Sequence, residues 1–283
     1  MNQQNVDFLK DRVFFLGFGD KLHSELEKKI ESKAEKFTLP IQGEFGKDDQ
    51  KKVIDYSLDF TKSKKEDMYF LNNYTATLKN DDPSKEKSQK FFLNKGSGVT
   101  AKEAFNLLEG RAVFKNNLEK KPKEGADPGE KPEKYEAWLQ LNFSQKEDKG
   151  NFKTQQYHQK WNYDLEKNLA KHPIKEFMDV NQKSDLLKNL RKGNLEPVTF
   201  VLENREAKWF VEANPKDRNV NVYDENMRKQ FQGIRQGKSE GKSESQSQST
   251  EGEKQNQKES MKSALKSEDE PGQKQKKKKG MSV

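Results

Sequence analysis

The sequence predicts an α+β fold built from repeated small units, each with one or two helices followed by a three- to four-stranded antiparallel meander, and then a disordered tail. Three observations predict it. Helical and strand-like patterns alternate along the first 231 residues, and the helix-then-strands order recurs at a spacing of about 65 residues. Only 30% of the 283 residues are apolar, 36% are charged, and the mean hydropathy is −1.25, which argues against a single large core. No aromatic residue follows Phe231. The expected boundaries are 1–95, 96–160 and 161–231 for three units and 232–283 for the tail.

In the first unit a short helix ends near Gly17. Asp20 then stands where it can cap a second helix, whose apolar positions Leu22, Leu26 and Ile30 repeat every four residues. Strands are expected at Thr38–Phe45, Val53–Phe60 and Met68–Lys79, each rich in aromatic or β-branched residues and separated by charged turns.

The second unit opens on Thr100-Ala101-Lys102-Glu103, a capping box in which threonine and glutamate satisfy the first free amides of a helix. Ala104, Leu107 and Leu108 form its apolar side, and Gly110 supplies the left-handed stop. A strand follows at Arg111–Phe114, and Asn116–Lys131 reads as an exposed loop. Tyr135–Phe143 alternates, with Tyr135, Ala137, Leu139, Leu141 and Phe143 on one side. Phe152–His158 is expected to pair back across a turn at Lys149-Gly150-Asn151.

In the third unit Asp164 is the N-cap, Leu165 and Leu169 form the stripe, and Pro173 forces a break. Leu186, Leu187 and Leu190 mark a second helix ending at Gly193-Asn194. Strands are expected at Pro197–Leu202, Ala207–Ala213 and Asn219–Tyr223, with Asn214-Pro215-Lys216-Asp217 as the turn between the last two.

The tail is built of Gly, Ser, Gln, Glu and Lys and cannot bury enough apolar surface to offset chain entropy. Ser260–Lys266 is the one stretch where a transient helical turn could form. From Gln232 onward there are 12 basic and 8 acidic residues, against 43 and 39 before it. The formal charge of +8 is thus shared equally between body and tail, and the body is a near-balanced polyampholyte. The run Lys276, Lys277, Lys278 and Lys279 either docks on phosphates or an acidic patch or is simply solvated.

Zero cysteines exclude disulfides, thiolate zinc sites and cysteine nucleophiles. No apolar run reaches the roughly 20 residues needed to span a bilayer, and the N-terminus lacks a signal layout, so a cytoplasmic protein without membrane contact is expected. Gly17-Phe18-Gly19 and Gly96-Ser97-Gly98 precede helices, where free amides can receive a phosphate. Neither completes a P-loop or a dinucleotide fingerprint, and helix entry alone accounts for both. His23, His158 and His172 lack ligand spacing, and Glu212 with Asp224 is one of many carboxylate pairs. No catalytic, cofactor or metal site is therefore assigned.

The aromatic residues carry the stronger signal. Trp138 lies between Glu136 and Gln140 on the polar side of its strand, where its ring is exposed unless a helix or another unit covers it. Exposed aromatics beside basic residues stack on unpaired bases, and Arg111, Lys115 and Lys153 would supply the charge if their strands are adjacent. Trp161 and Trp209 sit among apolar neighbours and are expected in the core.

Asn94–Lys115, Tyr135–Phe143, Tyr157–Phe177 and Lys192–Asp224, together with the opening Leu16-Gly17-Phe18-Gly19-Asp20-Lys21-Leu22, resemble a domain family of unknown function common in Bacteroidetes. Members often occur in proteins carried by conjugative and other mobile genetic elements, sometimes beside topoisomerase or DNA-processing domains. The resemblance spans most of Phe8–Gln232 and implies no catalytic residue. Gly110, Arg111, Trp138, Asp164, Glu212, Asn214 and Pro215, its recurrent positions here, read as caps, turns and packing positions.

Two classes follow. The first is a non-catalytic binding or adaptor module for DNA or RNA, or for a partner protein of a mobile element's machinery. The alternative is an enzyme acting on nucleic acid or nucleotides through a site scattered along the chain.

Overall fold

The computed structural model describes residues 2–46, 51–93, 98–120, 132–203 and 205–230. All of them belong to one compact unit. Lys238–Val283 falls in a second unit wholly outside the described residues, so the disordered tail and the Lys276–Lys279 run expected there also lie outside them. Within the described residues the architecture is α+β, with helices packed on three antiparallel sheets.

Helix α1 (Gln3–Val13) starts where the Asn2 side chain accepts the Asn5 N–H, and it runs into a π-turn over Phe14–Phe18. Helix α2 (His23–Glu31) follows. Asp20 does not cap it with its side chain as expected. The chain leaves the π-turn through Gly19, and the Asp20 backbone carbonyl takes the His23 N–H in a tight turn instead.

The first sheet has the order β1-β2-β3-β4, from β1 (Lys36–Phe45), β2 (Lys52–Lys62), β3 (Tyr69–Leu78) and β4 (Lys87–Phe92). On its inner side the row Leu39–Leu58–Tyr74–Phe91 crosses all four strands. The next row, Ile41–Tyr56–Ala76–Gln89, ends in a buried glutamine. That glutamine hides β4 from a reading based on apolar alternation, and β4 was not expected.

Helix α3 (Ala101–Leu108) carries the expected capping box. The Tyr56 hydroxyl donates to the Ala101 carbonyl (2.7 Å) and the Tyr74 hydroxyl to that of Val99 (2.6 Å), which docks the start of α3 on the first sheet. The second sheet has the order β5-β6-β7, from β5 (Val113–Glu119), β6 (Lys134–Lys146) and β7 (Phe152–His158). Strand β5 continues into the stretch read as a loop from Asn116, because Leu118 and Glu119 still pair with β6. The remainder of that stretch, 121–131, lies outside the described residues.

Helix α4 (Leu165–Leu169) is capped by Asp164 and α5 (Val180–Arg191) by Asp179. The third sheet has the order β11-β10-β9-β8, with β8 (Glu196–Leu202), β9 (Arg205–Asn214), β10 (Asn219–Tyr223) and a short β11 (Lys229–Gln230) that the sequence did not announce. The β8 edge is covered rather than open. The Val201 N–H donates to the Pro173 carbonyl (2.8 Å), and the Glu176 carboxylate accepts the Thr199 N–H (2.9 Å).

The three sheets fall in the three expected segments, but the apolar residues gather in two cores. One joins α1, α2, the inner side of the first sheet and α3 to Val113, Leu139, Leu141 and Phe152 of the second sheet. The other joins Ala112, Trp138 and Tyr157 to α4, α5 and the third sheet. The middle sheet is thus shared, with one side in each core. No helix among the described residues is long and apolar enough to cross a membrane.

Gly193, just past α5, has φ +79°, and a Cβ there would lie 2.8 Å from the Ala112 carbonyl oxygen and 2.8 Å from Val113 Cγ2. Gly110 has the positive φ expected of it, +89°, but a Cβ would meet only the Phe143 ring, at 3.3 Å. Gly110→Ala is therefore expected to cost about 1 kcal/mol of backbone strain, and Gly193→Ala about 2–3 kcal/mol, because a backbone carbonyl cannot move aside. Urea midpoints at unchanged slope measure both. Equal losses would contradict the close approach at Gly193.

Candidate functional site

The residues expected to form a nucleic-acid platform do not assemble into one. Trp138 is only 6% exposed, with its ring 5.5 Å from Phe114 and 5.4 Å from Tyr163. The expectation of an exposed ring is corrected because the side that Glu136 and Gln140 mark as polar is covered by the third segment. Gln140 tolerates that cover because its amide donates to the Gly110 carbonyl (2.8 Å) and its oxygen accepts from the Tyr157 hydroxyl.

Arg111 is equally engaged. Its Nε donates to the Gly193 carbonyl (3.0 Å), its Nη2 donates to Asn106 Oδ1 (2.7 Å), and Nη1 is 3.8 Å from Glu109. Lys115 donates to the Gly98 carbonyl (2.8 Å) and to Glu103 (3.0 Å), the same carboxylate that closes the capping box on the Thr100 N–H. Both side chains hold α3 in place and neither faces a ligand. Of the four, Lys153 alone is exposed, on β7.

Trp209 is buried as expected, but Trp161 is 39% exposed rather than in the core. Its Nε1 donates to the Pro215 carbonyl (2.8 Å) and the Arg218 guanidinium lies 4.7 Å over its ring. Trp161 thus clamps the β9–β10 turn from outside, an arrangement its apolar neighbours in sequence do not announce. Glu212 accepts from Asn221 and Tyr223, whereas Asp224 organises the turn to β11 through the N–H groups of Asn226 and Arg228, so the two carboxylates serve separate structural tasks. Among the described residues, no group of three or more histidine and carboxylate side chains is placed to hold a metal ion.

Two features remain that sequence reasoning missed. The first is Lys102 in the opening turn of α3. Its ammonium sits 4.5 Å from the centre of the Phe45 ring and 4.6 Å from that of Phe105, and the Arg111 guanidinium also lies over Phe105 at 5.4 Å. Among the described residues no carboxylate is within ion-pair distance of Lys102. Burial first, and then the neighbouring Arg111 charge, lower its pKa to about 8, with Glu196 and Glu109 only partly opposing them. A signal was present in the sequence, since Lys102 is the basic residue inside the capping box. Phe105 lies three residues on in the same helix, but Phe45 comes from β1 and could not be read.

The second feature is a strip of exposed phenylalanines on α1 and the π-turn. Phe8 is 58% exposed, Phe14 53% and Phe15 76%. Phe8 and Phe15 are seven residues apart, two turns along the same side, and the Phe14 ring meets Phe15 edge-on at 5.6 Å. Asp7 and Asp11 stand exposed beside them. Lys10, which could have added positive charge, is turned away in an ion pair with Glu27.

Comparison of the chain with protein-family models, with curated proteins and with solved structures gives no match in any of the three.

A lysine whose pKa is lowered in the folded state binds fewer protons than in the unfolded state between the two values. Its burial therefore costs stability below about pH 8, and that cost is relieved as the pH rises toward the ordinary lysine range. In carbon-13 spectra of the reductively methylated protein, one lysine resonance, absent from Lys102→Arg, is expected to titrate near pH 8. Titration of every lysine above pH 10 would contradict the placement of Lys102.

Proposed function

We propose that this chain is a non-catalytic binding module, a cytoplasmic adaptor that holds a partner protein within the DNA-processing machinery of a mobile genetic element. The observation that carries the reading is the Phe8–Phe14–Phe15 strip. Three large apolar rings kept in water on a helix that buries its other side in the core have no use in folding. Aromatic side chains gathered in one exposed patch supply the affinity of protein interfaces. Asp7 and Asp11 flank the rings and Arg12 stands partly exposed between Phe8 and Phe15, so the strip has the apolar centre and mixed-charge rim of a protein interface. The mobile-element setting rests on the sequence resemblance alone.

A second reading, an enzyme acting on nucleic acid or nucleotides, draws its support from Lys102. A half-buried amine with a lowered pKa is a common feature of catalytic sites. It is the weaker reading, since the same ammonium is already accommodated by two aromatic rings.

Photo-crosslinking in cells that make the protein tests the adaptor reading. A crosslinking residue in place of Phe15 is expected to capture one discrete partner, and Phe8→Ser is expected to abolish that capture without lowering the thermal midpoint. The same residue in place of Ser57, on the solvated side of the first sheet, is expected to capture nothing discrete. Equal capture at positions 15 and 57 would contradict the reading.

A further inference from the structure

Where α2 ends and the β2–β3 hairpin turns, the chain encloses an open cleft of about 680 Å³. Five lysines line it: Lys33, Lys36, Lys62, Lys64 and Lys65. Three carboxylates, Glu35, Glu66 and Asp67, share the walls, which leaves a positive balance.

The walls are fixed by backbone and short polar contacts rather than by the lysines. Lys33 holds the left-handed position that ends α2, at φ +57°, and Lys36 opens β1 opposite Thr61. The Lys62 N–H donates to the Glu35 carbonyl (2.8 Å), which ties the hairpin to the α2–β1 link. Within the turn, Ser63 Oγ accepts the N–H groups of Lys65 (3.2 Å) and Glu66 (3.3 Å), and the Ser63 N–H donates to the Met68 carbonyl (2.7 Å).

Lys62 is partly neutralised, 3.6 Å from Asp67. The other four have no carboxylate within ion-pair distance among the described residues. Elsewhere on the first sheet Lys79 pairs with Glu86, Lys85 with Asp82 and Lys90 with Asp59, while Lys87 donates to the Leu108 carbonyl. A near-balanced body thus gathers five ammonium groups against three carboxylates around one concavity.

We propose that this cleft binds the phosphate backbone of nucleic acid without regard to sequence. The argument is electrostatic and geometric. Ammonium groups are point charges that meet phosphates without demanding a fixed orientation, and release of the polymer's counterions supplies the driving force. The cleft is too open to enclose a small anion, and its lysines come from two separate stretches of chain, 33–36 and 62–65, so a polymer with phosphates at intervals engages them together. No aromatic side chain lines the cleft, so it offers no base stacking and no means of reading a base.

The test must separate the cleft from the Lys276–Lys279 run. Labelled single- and double-stranded oligonucleotides are titrated by fluorescence anisotropy at several salt concentrations against the full-length chain carrying Lys276–Lys279→Ser. The same chain with Lys33→Gln, Lys36→Gln, Lys64→Gln and Lys65→Gln added is compared with it. The first is expected to bind. The second is expected to lose tenfold or more in affinity, with the slope of log K against log salt shallower by about 3 units, at roughly 0.7–0.9 per phosphate.

All four side chains are exposed, so the thermal midpoint should not move. If it does, the pair Lys64→Gln and Lys65→Gln, confined to the turn, is expected to remove about half of the change in slope. Binding that survives all four cleft substitutions unchanged, or that disappears once Lys276–Lys279 are replaced, would overturn the proposal. So would competition by polyglutamate as effective as that by oligonucleotide, because the cleft would then read charge rather than phosphate.

Discussion

The arrangement of the whole body depends on satisfying one buried amide. Helix α3 is covered almost all round, and Asn106 in its middle is 0% exposed, a position where an unpaired side-chain amide would cost more than the helix could repay. The amide nitrogen is satisfied by groups more than eighty residues away and the oxygen by a neighbour just past the helix. Its nitrogen donates to the Lys192 carbonyl (2.7 Å) and to Asn194 Oδ1 (2.9 Å), and its oxygen accepts from Arg111. The same Arg111 reaches the Gly193 carbonyl, so the end of α5, the end of α3 and the start of β5 converge on one polar knot. Gly193 is needed there because no other residue lets the backbones approach closely enough.

Two further amides repeat the device. Gln89 on β4 donates to the Phe152 carbonyl and accepts the Phe152 N–H, a strand-like pair made by a side chain, which joins the edge of the first sheet to the edge of the second. Asn5 does the same with the N–H and carbonyl of Tyr69, joining α1 to β3. At these three junctions a buried Asn or Gln supplies the directional bonds and apolar side chains supply the area. The consequence for function is that the middle sheet packs against a core on each side, and its exposed positions include those toward the β6–β7 turn and Lys153, Gln155 and Gln156 along β7. The two surfaces argued for above are both peripheral: the phenylalanine strip on α1 and the lysine cleft at the far end of the first sheet.

Local chemistry was legible in the sequence. The Thr100–Glu103 capping box, the Asp164 cap, the Gly110 stop and the β6–β7 turn are decided by residues within a few positions of each other, and each appears as expected. Alternation also placed most strands correctly. It could not say which side of a strand meets water, and Trp138 shows why. Glu136 and Gln140 mark a polar side only if nothing packs there, and the cover comes from residues beyond position 160. Asn106 was silent for the same reason, since an asparagine on a helix reads as solvent-facing until its partners at Lys192 and Asn194 are known. The lysine cleft depends on two turns brought together by strand pairing, which composition and spacing do not encode.

Native-state hydrogen exchange tests most directly whether α3 and its buried amide make one cooperative body of the three segments. Amides of Leu107 and Leu108 in α3, Leu139 and Leu141 in β6 and Trp209 in β9 are predicted to exchange only through global opening, with the same free energy and the same dependence on denaturant. If Trp209 exchanged through a smaller opening while the α3 and β6 amides stayed protected, the third segment would be an independent module and the account would be wrong.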